Sequence, residues 1–358
     1  MSRWLSHPEI LLEQAAVHRG YAESGDLPGL ARSVMEAACH NGSMTGPGPQ
    51  AMEWLRHLPD SDRMELARIW AQWHAGAEDA WSGEAYRRDL AYFRAELLVV
   101  TTGVVRGLDH DVLAAERQAA LAKLAGEYIA YGHRDWELAE AEIEAGRIPE
   151  AAVLATFRRT VIDYHAEPGL RELLTRFPGP VLNPGEAWVD QTLEDAAKGG
   201  EPWQRLLDHR APVGAGAPSA KWLRTGRDLL DAAGPESVRR HVHRWFELVG
   251  QERTIPLRGS QGEGAYDPYN VQALRALAWL LSLLPPRHDT CDALARLVET
   301  SLRGLPHCGL HPVRVAEAGV VSLGRIGSPD ARVELEGLSK RVTHKSVLRR
   351  VDRALAAG

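Results

Sequence analysis

The segment from residue 268 to residue 303 constrains the fold most strongly, because it contains an apolar helix followed by an amphipathic one. The first helix reads PYNVQALRALAWLLSLL, and its apolar residues recur at helical spacing. Ala276, Trp279 and Leu280 fill much of what should be its solvent face. A helix that is apolar nearly all round is usually buried between other elements. A pair of prolines then ends it, and an ordinary amphipathic helix follows over 291–303.

A buried helix beside an amphipathic one is the repeating unit of a stacked helical solenoid. From Tyr269 onward the pattern predicts helices of about 12 to 16 residues joined by short connections, as in HEAT-like arrays with repeats of about 40 residues. The stretch 313–338 has the pattern of one such repeat, with Gly327-Ser328-Pro329-Asp330 at its corner. We therefore predict an all-α fold whose C-terminal half is an α-solenoid of HEAT-like repeats.

The N-terminal half also has the sequence pattern of helices. The stretch LLVVTTGVV at 97–105 has strand propensity, but the preceding YRRDLAYFRAEL sets a 3.6-residue period and favours a helix. We predict no β-strand anywhere in the chain. The segment 177–184, with three prolines and a glycine, is the expected domain boundary. The prediction is an N-terminal helical domain over 1–180 and a repeat domain over 181–358.

Composition narrows the class of protein further. The chain of 358 residues is 44% hydrophobic and 25% charged, as in soluble globular proteins. A net charge of -6 argues against a surface uniformly coated by nucleic acid.

Three scattered cysteines, Cys39, Cys291 and Cys308, make no disulfide framework and favour a reducing cytosol. No apolar run approaches the roughly 20 residues that span a bilayer, so we expect a cytoplasmic protein that does not bind membranes.

Several stretches resemble one bacterial family. They are WQRLL from Trp203, PSAKWL from Pro218, Trp245, the Asn270 to Trp279 helix, Gly304-Leu305-Pro306, and the closing LGRIG and LEGLSKRVTHKSVLRRVDRAL. Over about residues 200–358 the chain resembles the helical region of the molybdate-metabolism-regulator-like bacterial proteins. The resemblance implies a helical, HEAT-like fold in this region. It implies no catalytic residue, and the chain has Glu317-Ala318 where the family pattern has Asn-Ala.

No stretch carries a catalytic or phosphate-binding signature. The chain contains no P-loop and no complete dinucleotide fingerprint, so we predict no catalytic residue and no cofactor. His307, Cys308 and His311 are weak candidate zinc ligands in a loop, with His288 and Cys291 as further donors. Because no CxxC pair completes such a site, we favour a polar loop with one buried cysteine.

An acidic helix near residue 140 offers a second metal alternative. Glu137, Glu140 and Glu144 share one helix face, as the ligands of a carboxylate metal cage do. The Glu-x-x-His partner of such cages is missing. We therefore expect a solvated acidic face.

The C-terminal helices concentrate positive charge. The basic residues are Lys340, Arg341, Lys345, Arg349, Arg350 and Arg353. Lys345, Arg349 and Arg353 fall at i, i+4 and i+8 on one helix, so they form a row that can contact phosphates or an acidic protein face. The alternative is the solvated outer face of a terminal repeat.

Three functions fit these patterns. The first is a non-catalytic helical-repeat scaffold that binds a protein partner, since solenoids present extended concave surfaces. The second is nucleic-acid binding through Lys345, Arg349 and Arg353. The third is an enzyme whose unrecognised site lies between the two halves.

Overall fold

A computed structural model describes residues 8–40, 49–76, 90–130, 134–164, 167–177, 179–259, 266–303 and 310–357. Within these ranges the protein is 75% helical, with eighteen α-helices and no β-strand. The closest approach to a sheet is one isolated parallel bridge between Glu127 and Arg258. The predictions of an all-α fold and of no strand are confirmed for this part of the chain. No helix in it is long and apolar enough to cross a membrane.

The described helices are numbered in chain order. They are α1 (Pro8–Ser24), α2 (Leu27–His40), α3 (Pro49–Arg56), α4 (Asp60–Ala75), α5 (Leu90–Val105), α6 (Ala114–Ala125), α7 (Asp135–Glu144), α8 (Ala151–Asp163), α9 (Pro168–Arg176), α10 (Ala187–Gly199), α11 (Glu201–Asp208), α12 (Ala220–Ala233), α13 (Pro235–Leu248), α14 (Pro268–Leu281), α15 (His288–Leu302), α16 (Leu310–Ile326), α17 (Pro329–Arg341) and α18 (Lys345–Ala357).

The contacts between residues divide the chain into two compact units. The first comprises Met1–Leu124 and Ala130–Glu150, and the second comprises Ala125–Ile129 and Ala151–Gly358. Helix α8, which lies before the proline-rich segment, contacts α14 of the second unit. The domain boundary at 180/181 stays a prediction.

The first unit is built around α5. Every residue from Glu96 to Val105 is buried, and α2, α3, α4 and α7 all contact this helix. The stretch with strand propensity is therefore a helix, as its 3.6-residue period predicts. Trp70 of α4 is fully buried and donates its indole N–H to the carbonyl of Ala31 at 3.2 Å.

Two arginines bind the C-terminal end of α5. The last carbonyl groups of a helix accept no hydrogen bond from within the helix. A buried helix end therefore needs hydrogen-bond donors from other parts of the protein. Arg56 Nε donates to the carbonyl of Gly103 at 3.0 Å, and Arg63 Nε donates to that of Val104 at 2.9 Å. Cations also interact favourably with the negative end of the helix dipole. These bonds explain why Arg63 is buried although it carries a charge.

The second unit contains the long apolar helix. Its residues from Ala273 to Leu281 are all buried, which confirms that α14 has no solvent face over this length. Helices α12, α14, α16 and α18 contact one another in succession, and α13, α15 and α17 do the same. Capping side chains begin three of these helices, with Ser219, Asp267 and Ser328 accepting backbone N–H groups of the first turn.

Candidate functional site

The basic residues of the two C-terminal helices separate into two groups by their partners. Arg341 and Arg350 each form an ion pair with a glutamate of the same chain. Arg341 forms an ion pair with Glu299, and Arg350 Nε lies 3.1 Å from Glu317 Oε2. Neither is available as an unpaired cation, although the sequence placed both with the rest of the group.

The remaining row on α18 is exposed. Lys345, Arg349 and Arg353 each face solvent and form no ion pair within the described ranges. The Nε atoms of Arg349 and Arg353 donate to the carbonyl oxygens one turn back, at 3.3 and 3.1 Å, so these side chains lie along the helix. We call these three residues the basic face. Asp352 is an exposed acid on the same helix, so the local charge is about two units positive at neutral pH.

A cleft lies at one end of the basic face. It has a volume of about 600 Å³ and is formed by the end of α15 and the turn between α17 and α18. Arg303, Arg341 and Lys345 line it together with one acid, Glu299. Lys340 is exposed in the last turn of α17. The cleft and the basic face together form a positively charged edge.

The predicted metal ligands divide between described and undescribed residues. His307 and Cys308 lie outside the described residues. His311 is half-buried, and its Nε2 lies 3.1 Å from Asp163 Oδ1. No three His, Cys, Asp or Glu side chains converge as a metal-binding group among the described residues. Of the two further donors, Cys291 is fully buried and His288 is exposed.

A buried polar network lies at the start of α14. Arg159 and Asp267 are both about 1% exposed, and Arg159 Nη1 donates to Asp267 Oδ2 at 2.9 Å. Asn183 Nδ2 donates to the same carboxylate at 3.0 Å. Asn270 donates from Nδ2 to the carbonyl of Asn183 at 2.8 Å and to Glu186 Oε2 at 2.6 Å. These bonds fix the 183–186 segment against the first turn of α14.

Two groups have raised pKa values, Glu186 of this network and Tyr128, whose carbonyl accepts a hydrogen bond from Arg159 Nε at 2.6 Å. Burial raises the pKa of Glu186, and the nearby charge of Asp267 raises it further. Burial also raises the pKa of Tyr128, as does the hydrogen bond of 2.6 Å that its hydroxyl donates to Asp163. A buried carboxyl with a raised pKa is a common feature of functional sites and also of structural networks. Because every polar group here has partners within the protein, we interpret the network as a rigid support.

The acidic helix of the first unit does not form a solvated face. Glu137, Glu140 and Glu142 of α7 are buried, so the expectation of a solvated face is wrong for Glu137 and Glu140. Glu140 Oε2 accepts from Arg106 Nη1 at 2.8 Å, and Glu137 Oε1 accepts from Arg134 Nε at 2.6 Å. Buried charges are stable only when they are paired and hydrogen-bonded. The glutamates therefore have a structural role that depends on arginines elsewhere in the sequence.

Glu142 gives this cluster a pH dependence that can be measured. Burial alone would raise the pKa of Glu142, but hydrogen bonds from Arg147 and Arg117, together with their charges, lower it to about 2. Their Nε atoms lie 2.6 and 2.5 Å from its carboxylate oxygens. A carboxyl with a lowered pKa stabilises the folded state above its unfolded pKa of roughly 4.5, and this stabilisation is lost as the pH falls toward about 2.

We therefore expect Glu142→Gln to reduce the free energy of unfolding of the first unit more at pH 6 than at pH 3. Urea unfolding at the two pH values, followed by circular dichroism, measures the difference. Glu150→Gln is the matched control, since Glu150 is exposed and has no ion pair among the described residues. An equal loss at both pH values would contradict the role of the Glu142 carboxylate.

One arrangement was not predicted from the sequence. The guanidinium carbons of Arg158 and Arg210 lie 4.3 and 3.8 Å from the centroid of the Tyr269 ring. These residues are far apart in the chain and belong to no known motif. The sequence signal was a tyrosine directly after Pro268, at the start of the apolar helix α14.

Comparisons of the chain with protein-family models, with curated proteins and with solved structures gave no match. The resemblance of residues 200–358 to the molybdate-metabolism-regulator-like proteins therefore stays a prediction that rests on the residues quoted for it.

Proposed function

We propose that the protein is a non-catalytic helical-repeat protein that binds an acidic segment of a partner protein at the positively charged edge of α17 and α18. The observation that carries this proposal is the basic face. Lys345, Arg349 and Arg353 have exposed charges that no acid among the described residues neutralises, whereas Arg341 and Arg350 nearby are paired.

The succession of helix contacts supports a repeat architecture. In an array of helix pairs, each helix contacts the equivalent helix of the next pair. The series α12, α14, α16, α18 and the series α13, α15, α17 have this pattern. We propose that they form a HEAT-like solenoid in which α18 belongs to one of the two layers.

The spacing of the basic face suits an acidic peptide. Consecutive members lie about 6 Å apart along the axis, since four residues rise about 1.5 Å each. Acidic residues at i and i+4 of a partner helix have the same spacing, so opposite charges can face one another in register. The cleft beside Lys345 can admit one further acidic side chain against Arg303 and Lys345.

Charge also favours a protein partner over nucleic acid. Salt-dependent DNA binding increases with the number of phosphates that a protein contacts, and strongly salt-dependent examples make about 6 to 10 such contacts. The basic face provides three cations over about 12 Å of helix, and Asp352 lies among them. The whole chain carries a net charge of -6, which opposes a long polyanion elsewhere on the surface. Nucleic-acid binding through the same residues remains the alternative that the experiment must separate.

The test uses two labelled probes, a short polyglutamate peptide and a short DNA duplex, titrated with the full-length protein. We expect the peptide to bind and the triple variant Lys345→Glu, Arg349→Glu, Arg353→Glu to bind it at least about tenfold more weakly, because three exposed charge pairs contribute roughly 0.5 kcal/mol each. Binding should weaken with added salt, since exposed charges are screened.

Arg224→Glu with Arg227→Glu on α12 is the matched control, because both arginines are exposed and form no ion pair within the described ranges. This control should bind the peptide as the wild type does. Tighter binding of the duplex than of the peptide, lost in the triple variant, would replace the proposal with the nucleic-acid alternative. Equal affinity of the wild type, the triple variant and the control for the peptide would overturn the proposed function.

A further inference from the structure

A second charged pocket lies in the same unit, at the start of α14. It has a volume of about 530 Å³. Leu193, Ala196 and Ala197 of α10 give it an apolar wall, and Arg158 and Arg210 line it beside Tyr269. An apolar wall with a few convergent polar groups is the usual composition of a small-molecule site.

The two guanidinium groups are held in place by the protein. Arg158 Nη1 donates to the carbonyl of Pro180 at 2.9 Å and to Asn183 Oδ1 at 3.1 Å. Arg210 Nη2 donates to the carbonyl of Val181. Both also lie against the Tyr269 ring, whose face attracts cations. A ligand would therefore meet two arginines whose positions are already fixed.

These arginines retain unused donors. Arg158 Nε and Nη2 have no hydrogen-bond acceptor among the described residues, and Arg210 Nε is buried without one. Neither guanidinium forms an ion pair with a carboxylate in the described ranges. Burial lowers the pKa of Arg158, and the neighbouring charge of Arg210 also acts to lower it. Two cations against one tyrosine ring, without a carboxylate counterion in the described ranges, favour the binding of an anion.

The nearby acids do not compensate these charges. Asp267 is the counterion of Arg159, and Glu186 has a raised pKa that favours its neutral form. At the rim of the pocket, Glu201 lies 3.8 Å from Arg205. Asp208, also at the rim, is exposed to solvent. An exposed carboxylate is screened by water and salt. The inner end of the pocket therefore keeps an excess of positive charge.

A large cleft in the first unit has a different charge balance from this pocket. It has a volume of about 740 Å³ and is also lined by arginines, among them Arg106, Arg117 and Arg147. Each of these three is hydrogen-bonded to carboxylates of the same unit, including Glu142 and Glu144. The arginines of that cleft are neutralised by carboxylates of the same unit, whereas Arg158 and Arg210 in the pocket at Tyr269 are not.

We propose that the pocket of Arg158, Arg210 and Tyr269 binds a small organic anion, with its phosphate or carboxylate on the two guanidinium groups and its apolar body against Leu193, Ala196 and Ala197. Arginine is suited to both anions because its planar donors match their oxygen atoms. This site is separate from the basic face, so its test does not depend on the proposed function.

The experiment is isothermal titration calorimetry of the full-length protein with two probes, inorganic phosphate and benzoate. Phosphate tests the anion site alone, and benzoate adds an apolar ring. We expect saturable binding of at least one probe, and affinity at least about tenfold lower in Arg158→Gln and in Arg210→Gln, since each removes a charge-assisted donor. Tighter binding of benzoate than of phosphate would identify a carboxylate with an apolar body as the ligand class.

A matched control keeps the result interpretable. Arg224→Gln removes an exposed arginine of α12 that does not line the pocket, and it should leave the affinity within about twofold. Circular dichroism establishes that each variant is folded. The proposal is overturned if the wild type binds neither probe, or if folded Arg158→Gln and Arg210→Gln proteins bind as tightly as the wild type.

Discussion

Replacement of Asp267 by alanine is expected to lower the free energy of unfolding of the second unit by about 3–5 kcal/mol, because it leaves the buried charge of Arg159 without its counterion. Arg159 keeps three uncharged acceptors, among them the carbonyl of Tyr128 at 2.6 Å, but none of them carries a negative charge. The same change removes the cap at the start of α14, where Asp267 Oδ1 accepts the N–H of Tyr269 at 3.0 Å.

Differential scanning calorimetry measures this loss as a lower melting temperature. For a unit of this size roughly 2–4 °C is lost per kcal/mol, so the expected decrease is roughly 6–20 °C. Asp231→Ala is the matched control, because Asp231 is exposed on α12 without an ion pair among the described residues, and its effect should stay within about 0.5 kcal/mol.

A double variant separates the ion pair from the packing around it. Arg159→Met with Asp267→Leu removes both charges, so it should cost less than the sum of Arg159→Met and Asp267→Leu measured singly. Strict additivity of the two single changes would show that the ion pair makes no coupled contribution, and it would contradict this account of the network.

Trp279→Ala is expected to have the second large effect, a loss of about 3–5 kcal/mol from the cavity that it leaves. Trp279 is fully buried in α14, and its ring centroid lies 5.4 Å from that of Trp222 in an edge-to-face arrangement. Because α14 is enclosed on all sides over 273–281, the surrounding helices cannot easily collapse into the space. Urea unfolding followed by circular dichroism gives the free energy.

Phenylalanine substitutions at two buried tryptophans make this prediction sharper. The indole N–H of Trp279 is buried and has no acceptor in the described part of the chain, so Trp279→Phe loses no hydrogen bond. Trp245 is also fully buried, but its N–H donates to Asp195 Oδ2 at 2.8 Å. Trp245→Phe should therefore cost about 1.5–3 kcal/mol more than Trp279→Phe, the usual contribution of a hydrogen bond to a charged group. Equal losses would contradict the assigned bonding of the two rings.

The candidate site was partly predictable. The i, i+4, i+8 spacing of Lys345, Arg349 and Arg353 predicted a shared helix face, and the structure places all three on the exposed side of α18. The same pattern could not show that Arg341 and Arg350 are neutralised, because their acids, Glu299 and Glu317, lie on other helices. Helical spacing determines which residues share a face, but not which acids lie opposite that face.

The sequence by itself determined the helical class and the most buried helix. Apolar residues all round α14 leave no stable place for it except inside the second unit, and a 3.6-residue period was enough to overcome the strand propensity of α5. The tertiary structure alone decided the long-range charge pairs. Arg159 and Asp267 are 108 positions apart, and Asn183 and Asp267 are 84 apart. Local patterns extend over one or two helical turns, whereas a buried charge is paired by whichever side chain the fold brings within about 3 Å. That is why Glu140 is paired with Arg106, and why Arg158 and Arg210 meet at Tyr269.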